Sequence, residues 1–317
     1  KNDDGVRLYI DGELVIDDWR DHAEEANSAE VELKAGKEYD VTLEYYDNGL
    51  NASARLTWDY GLKDFEKAKK VAAGKDAVIL VAGTSPDISR EELDRDQIEL
   101  PQVQIDLMNE VTSVNPNTIV VLVNGGPVTL AGNENKVKAI VEAWYGGQYG
   151  GKAIADVLFG DVNPGGKLPE TFYASTEQLP PFENYDIINH PRTYMYFDKP
   201  VLYPFGHGLS YTQFEYNDLK LNSSSVERDG KVEMQFTIEN TGDRKGDEVP
   251  QVYVHDVKSS IKVPFRELQR FQRVTLEPGE NKTLTFQIPA SEFSFYSNKT
   301  NEFEIKPGKW EIQIGSS

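Results

Sequence analysis

The chain contains no cysteine, which excludes disulfides, thiolate metal sites and a cysteine nucleophile together. Histidine is nearly as scarce. His22, His190, His207 and His255 are scattered, with no HExxH and no paired spacing, so each reads as a structural or surface residue rather than a metal ligand. Basic residues are in deficit, 33 Lys and Arg against 53 Asp and Glu. The resulting formal net charge of −20 disfavours nucleic acid and anionic membrane surfaces, both of which reward basic patches. No run approaches the roughly 20 apolar residues of a membrane-spanning helix.

Phosphate loops are missing too. AGTSPD, NGGP and YGGQYGG supply glycines, but none follows GxGxxG or GxxxxGK[ST], and turns or close backbone packing account for them better. A nucleophile elbow of the form GxSxG fails twice. Asp87 stands where Gly83-Thr84-Ser85-Pro86 needs its second glycine, and Thr212 stands at the same place after Gly208-Leu209-Ser210-Tyr211. No cofactor and no metal is expected.

What is present falls into three textures. Residues 1–60 alternate with period two (VRLYIDG, ELVIDDW, YDVTLEYYDN), with turns such as Asp11-Gly12 and Asn48-Gly49, and predict an antiparallel β module. The chain opens on KNDDGVRLYIDG, already inside that pattern, so an N-terminal portion is expected to precede it. Residues 61–213 begin with apolar runs, AVILVAG and TIVVLVNGG, alternating with helical segments. This predicts a mostly parallel sheet covered by helices on both faces, followed by a Pro- and aromatic-rich connection that must be ordered by docking onto another surface. A helix is expected with Leu100, Val103, Leu107 and Val111 on its apolar face. Residues 214–317 return to alternation and predict an antiparallel sandwich of immunoglobulin or fibronectin type, with EPGENKT (residues 277–283) as a hairpin turn. The fold class is thus α/β plus all-β.

Carboxylates carry what chemistry remains. SREELDRDQIELPQVQ, residues 89–104, places Glu91, Glu92, Asp94, Asp96 and Glu99 around Arg95, just ahead of a helix. Solvated acids near a helix N-terminus would account for part of this through the helix dipole. A functional account also exists. Glycoside hydrolysis needs two carboxyl groups across the scissile bond, and sites in open α/β sheets gather beyond the carboxyl ends of the strands. The loop after AVILVAG is such a place, and it carries Asp87, Glu91 and Glu92.

These residues also carry a resemblance. The segment is similar to the E-x-x-D-R-x-x-[LI]-x-LP-x-x-Q signature of glycoside hydrolase family 3, the retaining β-glucosidases and β-xylosidases. NPNTIVVLVNGGPV, IVEAWYGGQYGGKAIADVLFGDVNPGGKLPETF, RTYMYF and LYPFGHGLSYTQFEY follow in the family's order. NDDGVRLYIDGELVIDDWRDH resembles the second half of a PA14 β domain, and the last hundred or so residues resemble the family's fibronectin type III-like domain.

The resemblance implies the C-terminal portion of an exo-acting retaining β-glycosidase, a glycoside hydrolase releasing terminal glucose from β-glucosides or β-linked oligosaccharides. The alternatives are a β-D-xylosidase of the same family and a non-catalytic carbohydrate-binding module. Glu91 falls at the family's general acid/base, with Glu92, one residue along, as the alternative. Asp94 and Arg95 are expected to order the loop, the guanidinium facing Asp94. The family's nucleophile is an aspartate on a (β/α)8 barrel. Asp17-Asp18-Trp19 belongs to the first β module and is not its counterpart, so the barrel is expected from another chain or fragment of the same enzyme. The resemblance further implies a periplasmic or secreted location and allows a homo-oligomer. Substrate-binding residues are not assigned.

Overall fold

The computed structural model describes residues 1–34, 36–49, 52–58, 65–259, 261–305 and 307–316. The chain divides into two units, Lys1–Asp64 and Phe65–Ser317. The boundary expected at residues 60–61 lies outside the described residues.

In the first unit, period-two alternation becomes β1 (Val6–Ile10), β2 (Glu13–Asp18) and β3 (Val41–Tyr45), antiparallel in the order β2-β1-β3. Val6, Leu8 and Ile10, on one face of the central strand, are buried, as the alternation predicts. Asp11 and Gly12 join β1 to β2 with φ of 50° and 81°, the two left-handed residues of a hairpin turn whose twist matches the strands. Trp19, His22, Asp47 and Asn48 lie outside the strands. The buried Asp4 carboxylate accepts from the backbone N–H groups of His22 and Asn48 and so joins their two loops.

The second unit starts with α1 (Glu66–Ala72), β4 (Val78–Gly83), α2 (Gln102–Val114), β5 (Thr118–Val123), β6 (Ala139–Glu142) and α3 (Gly150–Leu158). The strands form a parallel sheet in the order β4-β5-β6, with AVILVAG and TIVVLVNGG paired as predicted. Leu80, Ala82, Val120, Leu122 and Ile140 share one face and pack with Ile105 and Met108 of α2. The buried face of α2 is Ile105, Met108 and Val111, whereas Val103 is 52% exposed. Of the predicted stripe, Leu100 and Val111 are buried and Val103 is not, its place on the buried face being taken by Ile105 and Met108. QVQIDLMNEV carries apolar residues on more than one face, and it is contact with the sheet that selects among them. Coverage of both sheet faces is also incomplete: on the side away from α2, Ile79 and Val81 of the edge strand β4 are 47% and 65% exposed.

The remaining strands are β7 (Phe214–Leu221), β8 (Lys231–Asn240), β9 (Gly246–Glu248), β10 (Gln251–Asp256), β11 (Glu267–Phe271), β12 (Val274–Leu276), β13 (Asn281–Pro289), β14 (Phe295–Ser297), β15 (Glu302–Glu304) and β16 (Trp310–Gly315). All their pairings are antiparallel, in the orders β13-β8-β7, β11-β10-β16, β12-β9 and β14-β15. Met234, Phe236, Ile238, Val252, Val254, Leu276 and Ile288 are the most deeply buried parts of the shared core. EPGENKT is a turn but not a hairpin, because β12 pairs with β9 while β13 pairs with β8. Asn240 redirects the chain there: its backbone bonds Gly279 and Glu280, and its Nδ2 donates to the carbonyl of Leu276. The connection after Tyr173 docks on these strands. Phe265 N–H donates to Met195 O at 2.7 Å, Leu268 N–H donates to the Tyr194 hydroxyl oxygen at 3.2 Å, and Tyr194 contacts Tyr253 of β10 edge-on.

Candidate active site

The site forms where β4, β5 and β6 end. At the last residue of β4, Gly83 has φ of 148°, and a Cβ there would lie 1.9 Å from Val123 O, so no larger residue fits beside β5. Gln104 of α2 then clasps this strand end: it accepts from Gly83 N–H and donates to Gly83 O, each at 2.9 Å. This gives the final glutamine of the LP-x-x-Q signature a physical task, since it fixes where the next loop departs.

That loop folds back in a tight turn. Arg90 N–H donates to Leu93 O at 3.2 Å and Leu93 N–H to Arg90 O at 3.0 Å, leaving Glu91 and Glu92 as the two corner residues, both exposed. Arg90 also donates from Nη1 to Pro86 O at 2.9 Å. Glu92 has φ of 67°, a left-handed conformation natural to glycine and unfavourable for a side chain by roughly 1–2 kcal/mol. Glu91 adopts no such conformation, and its carboxylate has no hydrogen bond or ion pair among the described residues.

The other acids of the cluster separate by role. Glu99 accepts from Thr176 N–H (2.9 Å) and Oγ1 (2.6 Å) and so anchors the connecting segment. Asp94 and Asp96 are exposed. None of them stands in the first turn of α2, which contains no acid, so the helix dipole does not account for the cluster.

Arg95 departs from expectation. Its guanidinium turns away from the solvent-exposed Asp94 and inward, where Nη2 donates to Pro127 O at 2.9 Å. Burial lowers its pKa, and Nη1 is buried without a partner. The NGGP loop that receives it is held by Asn124, fully buried, which donates to Gly126 O at 2.8 Å and to Glu142 Oε2 at 3.3 Å.

Two acids that the sequence does not single out lie on the side of Arg95 and the NGGP loop. Glu142 ends β6 and also accepts from Trp144 N–H at 3.2 Å; burial pushes its pKa up to about 7. Glu170 is pushed up by burial, against the pull of Arg95. Glu142 was legible in principle, since an acid at the carboxyl end of a parallel strand sits where α/β sheets gather their sites. Glu170, in LPETF, comes from a loop with no periodic signal.

In the first unit, Asp17 pairs with Arg7 at 2.7 Å, and Asp18, His22 and Glu25 bring potential ligand atoms within 4.8 Å of one another. Arg20 already bonds both Asp18 (2.8 Å) and Glu25 (2.5 Å), so a guanidinium meets that negative charge.

The sequence model described as glycosyl hydrolase family 3 C-terminal domain matches residues 13–211, and that of the fibronectin type III-like domain matches 248–317. A periplasmic β-glucosidase of Salmonella typhimurium is 39% identical over 262 residues, 79% of this chain and 34% of its own. A xylan 1,4-β-xylosidase of Xylanibacter ruminicola is 34% identical over 334 residues, 98% of this chain and 37% of its own. The crystal structure of β-glucosidase from Kluyveromyces marxianus in complex with glucose superposes with a TM-score of 0.81 at 31% identity, covering 100% of this chain and 40% of that one. The chain therefore spans little more than a third of the length of these relatives.

Proposed function

The chain belongs to glycosyl hydrolase family 3, and on that premise we propose that it is the C-terminal portion of an exo-acting retaining β-glycosidase, a β-D-glucosidase, with Glu91 as its general acid/base. One observation carries the assignment. Glu91 stands at the corner of a turn beyond the carboxyl ends of a parallel sheet, unpaired and exposed, while Gln104 and Arg95 brace the segment on either side. Such a carboxyl is free to protonate a departing glycosidic oxygen and then to activate water against the glycosyl-enzyme. The nucleophile comes from a (β/α)8 barrel belonging to the same enzyme, as another chain or fragment. For retention the two carboxyl groups would approach to roughly 5–5.5 Å.

The domain division we adopt is 1–60, a PA14-like β domain (second half); 61–213, the α/β sandwich with its connecting segment; and 214–317, the fibronectin type III-like domain. The periplasmic β-glucosidase relative supports a periplasmic or secreted location. No helix of the described residues is long and apolar enough to cross a membrane. A β-D-xylosidase is the second reading, favoured by the xylosidase relative that aligns over 98% of this chain.

The test is Glu91→Gln against Glu92→Gln in the complete enzyme. Glu91→Gln should slow substrates with poor leaving groups by about 10²–10⁴, the range typical of acid–base catalysis. Activated aryl glycosides should lose far less in their first step, and azide should restore part of the turnover. The same pattern in Glu92→Gln alone would move the assignment one residue. Its absence from both would favour a non-catalytic carbohydrate-binding role.

A further inference from the structure

One side chain that the functional reading does not use joins the loops leaving β4, β5 and β6. Tyr145, just beyond β6, lays its ring against Gly125 of the loop after β5, where a Cβ would lie 2.7 Å from the ring. Its hydroxyl reaches Thr84, the first residue after β4. It donates to Thr84 O at 3.2 Å and lies 3.1 Å from Thr84 Oγ1, whose own proton it can accept. We propose that Tyr145 is a positioning residue for the acid/base turn, holding both limbs of the segment that presents Glu91. The proposal rests on the functional reading above, because it needs a proton donor in that turn.

The entering limb is Thr84. Its backbone N–H is fixed to Val123 O at 3.1 Å and Gln104 clasps the preceding Gly83, so Tyr145 adds a hold from the β6 side. The leaving limb is Arg95. Tyr145 is close enough to its guanidinium to act on it electrostatically, and a Cβ at Gly126 would lie 3.6 Å from Arg95 Nη2. The neighbouring glycines Gly125 and Gly126 therefore seat the tyrosine ring and the guanidinium side by side. Glu91 stands between these limbs, and its carboxylate has no hydrogen bond of its own among the described residues. Its place is set by the backbone of its turn, and hence by whatever holds the two limbs.

The turn that aims Tyr145 is built under strain. Trp144 has φ of 52°, a left-handed conformation that a bulky residue keeps only where its surroundings impose it. They do so from two sides: Glu142 Oε1 accepts from Trp144 N–H at 3.2 Å, and the indole meets Phe172 edge-on with ring centroids 6.1 Å apart. Tyr145 itself is 52% exposed. A hydrogen bond at so open a place adds little to stability, so what the strained turn secures is the position of Thr84.

The test uses the complete enzyme. Tyr145→Phe keeps the ring on Gly125 and removes only the hydroxyl. On an alkyl glycoside it should lower kcat by about tenfold while KM and the thermal midpoint hardly move, because a misplaced acid costs rate rather than binding. On an activated aryl glycoside, whose leaving group needs little protonation, the first step should be nearly unchanged. Thr84→Val removes the partner hydroxyl at almost the same volume and should give a smaller loss in the same direction. In the Glu91→Gln background Tyr145→Phe should cause no further loss, since residues acting as a unit on one step are not additive. Absorption of the effect by Glu92→Gln instead would uphold the role of Tyr145 and move the acid, so the two readings fail separately. The proposal is overturned by a parent-like kcat in Tyr145→Phe, by equal losses on both substrates, or by a loss that multiplies with those of Glu91→Gln and Glu92→Gln alike. A raised KM at unchanged kcat would also overturn it, by making Tyr145 a substrate contact.

Discussion

Arg95 donates from Nη2 to Pro127 O at 2.9 Å, and this bond ties the segment leaving the Glu91 turn to the loop leaving β5. Arg95→Ala should therefore destabilise the chain by about 1.5–3 kcal/mol, the range for a hydrogen bond from a charged group. In the complete enzyme it should lower kcat on poor leaving groups by about tenfold or more while KM changes little, because a displaced acid costs rate rather than binding. Arg95→Lys should recover part of the stability, since it keeps the charge but not the guanidinium's placement against Pro127 O. A kcat equal to that of the parent enzyme in Arg95→Ala would remove the bracing role.

Glu92 gives the second expectation. Its φ of 67° suits glycine, so Glu92→Gly should leave the chain as stable or raise its stability by a few tenths to about 1 kcal/mol. Activity on poor leaving groups should persist, since Glu91, the proposed acid, keeps its carboxyl. Thermal unfolding and kinetics on an alkyl glycoside check both halves, and loss of activity would transfer the acid role to Glu92.

Glu142 sets a pH dependence. Its pKa in the folded chain, about 7, lies above the ordinary 4.5, so the folded state holds a proton that the unfolded state releases. Its contribution is fully present below about pH 4.5 and is lost as pH rises through 7, a change on the order of 2–3 kcal/mol. Glu142→Gln should flatten this part of the profile and raise stability at pH 8 relative to the parent chain. Urea midpoints at pH 5 and pH 8 decide it; parallel profiles in the two proteins would count against the burial of this carboxyl.

Glu248 tests the seam between the α/β region and the sandwich. It pairs with Lys167 at 3.3 Å and accepts from the Tyr216 hydroxyl at 3.1 Å, with side-chain exposures of 3% for Glu248 and 10% for Lys167. Glu248→Ala strands a buried ammonium and should cost roughly 3–5 kcal/mol in denaturant unfolding. The double variant Lys167→Met with Glu248→Leu should regain most of that loss. If Glu248→Ala unfolds like the parent, the pair contributes little.

Local chemistry was legible in the residues themselves. Period two over Val6, Leu8 and Ile10 identifies a strand with one buried face, because successive side chains point to opposite sides. The unbroken apolar runs of β4 and β5 mark parallel strands, and Asp11-Gly12 marks a left-handed turn. The E-x-x-D-R segment implies an acid at Glu91, with Glu92 as the alternative, only through its resemblance to glycoside hydrolase family 3. Relations between distant segments were decided only by tertiary structure. Which face of α2 is buried depends on the sheet beneath it, which selects Ile105 and Met108 over Val103. EPGENKT bends the chain in any fold, but whether it closes a hairpin depends on the partners of β12 and β13, held apart by Asn240. Arg95 passes over its neighbour Asp94 for a carbonyl 32 residues away, because burial and the shape of the Pro127 loop outweigh adjacency in sequence. Glu142 and Glu170 become unusual acids for the same reason: desolvation belongs to a place in the folded chain, not to a residue type.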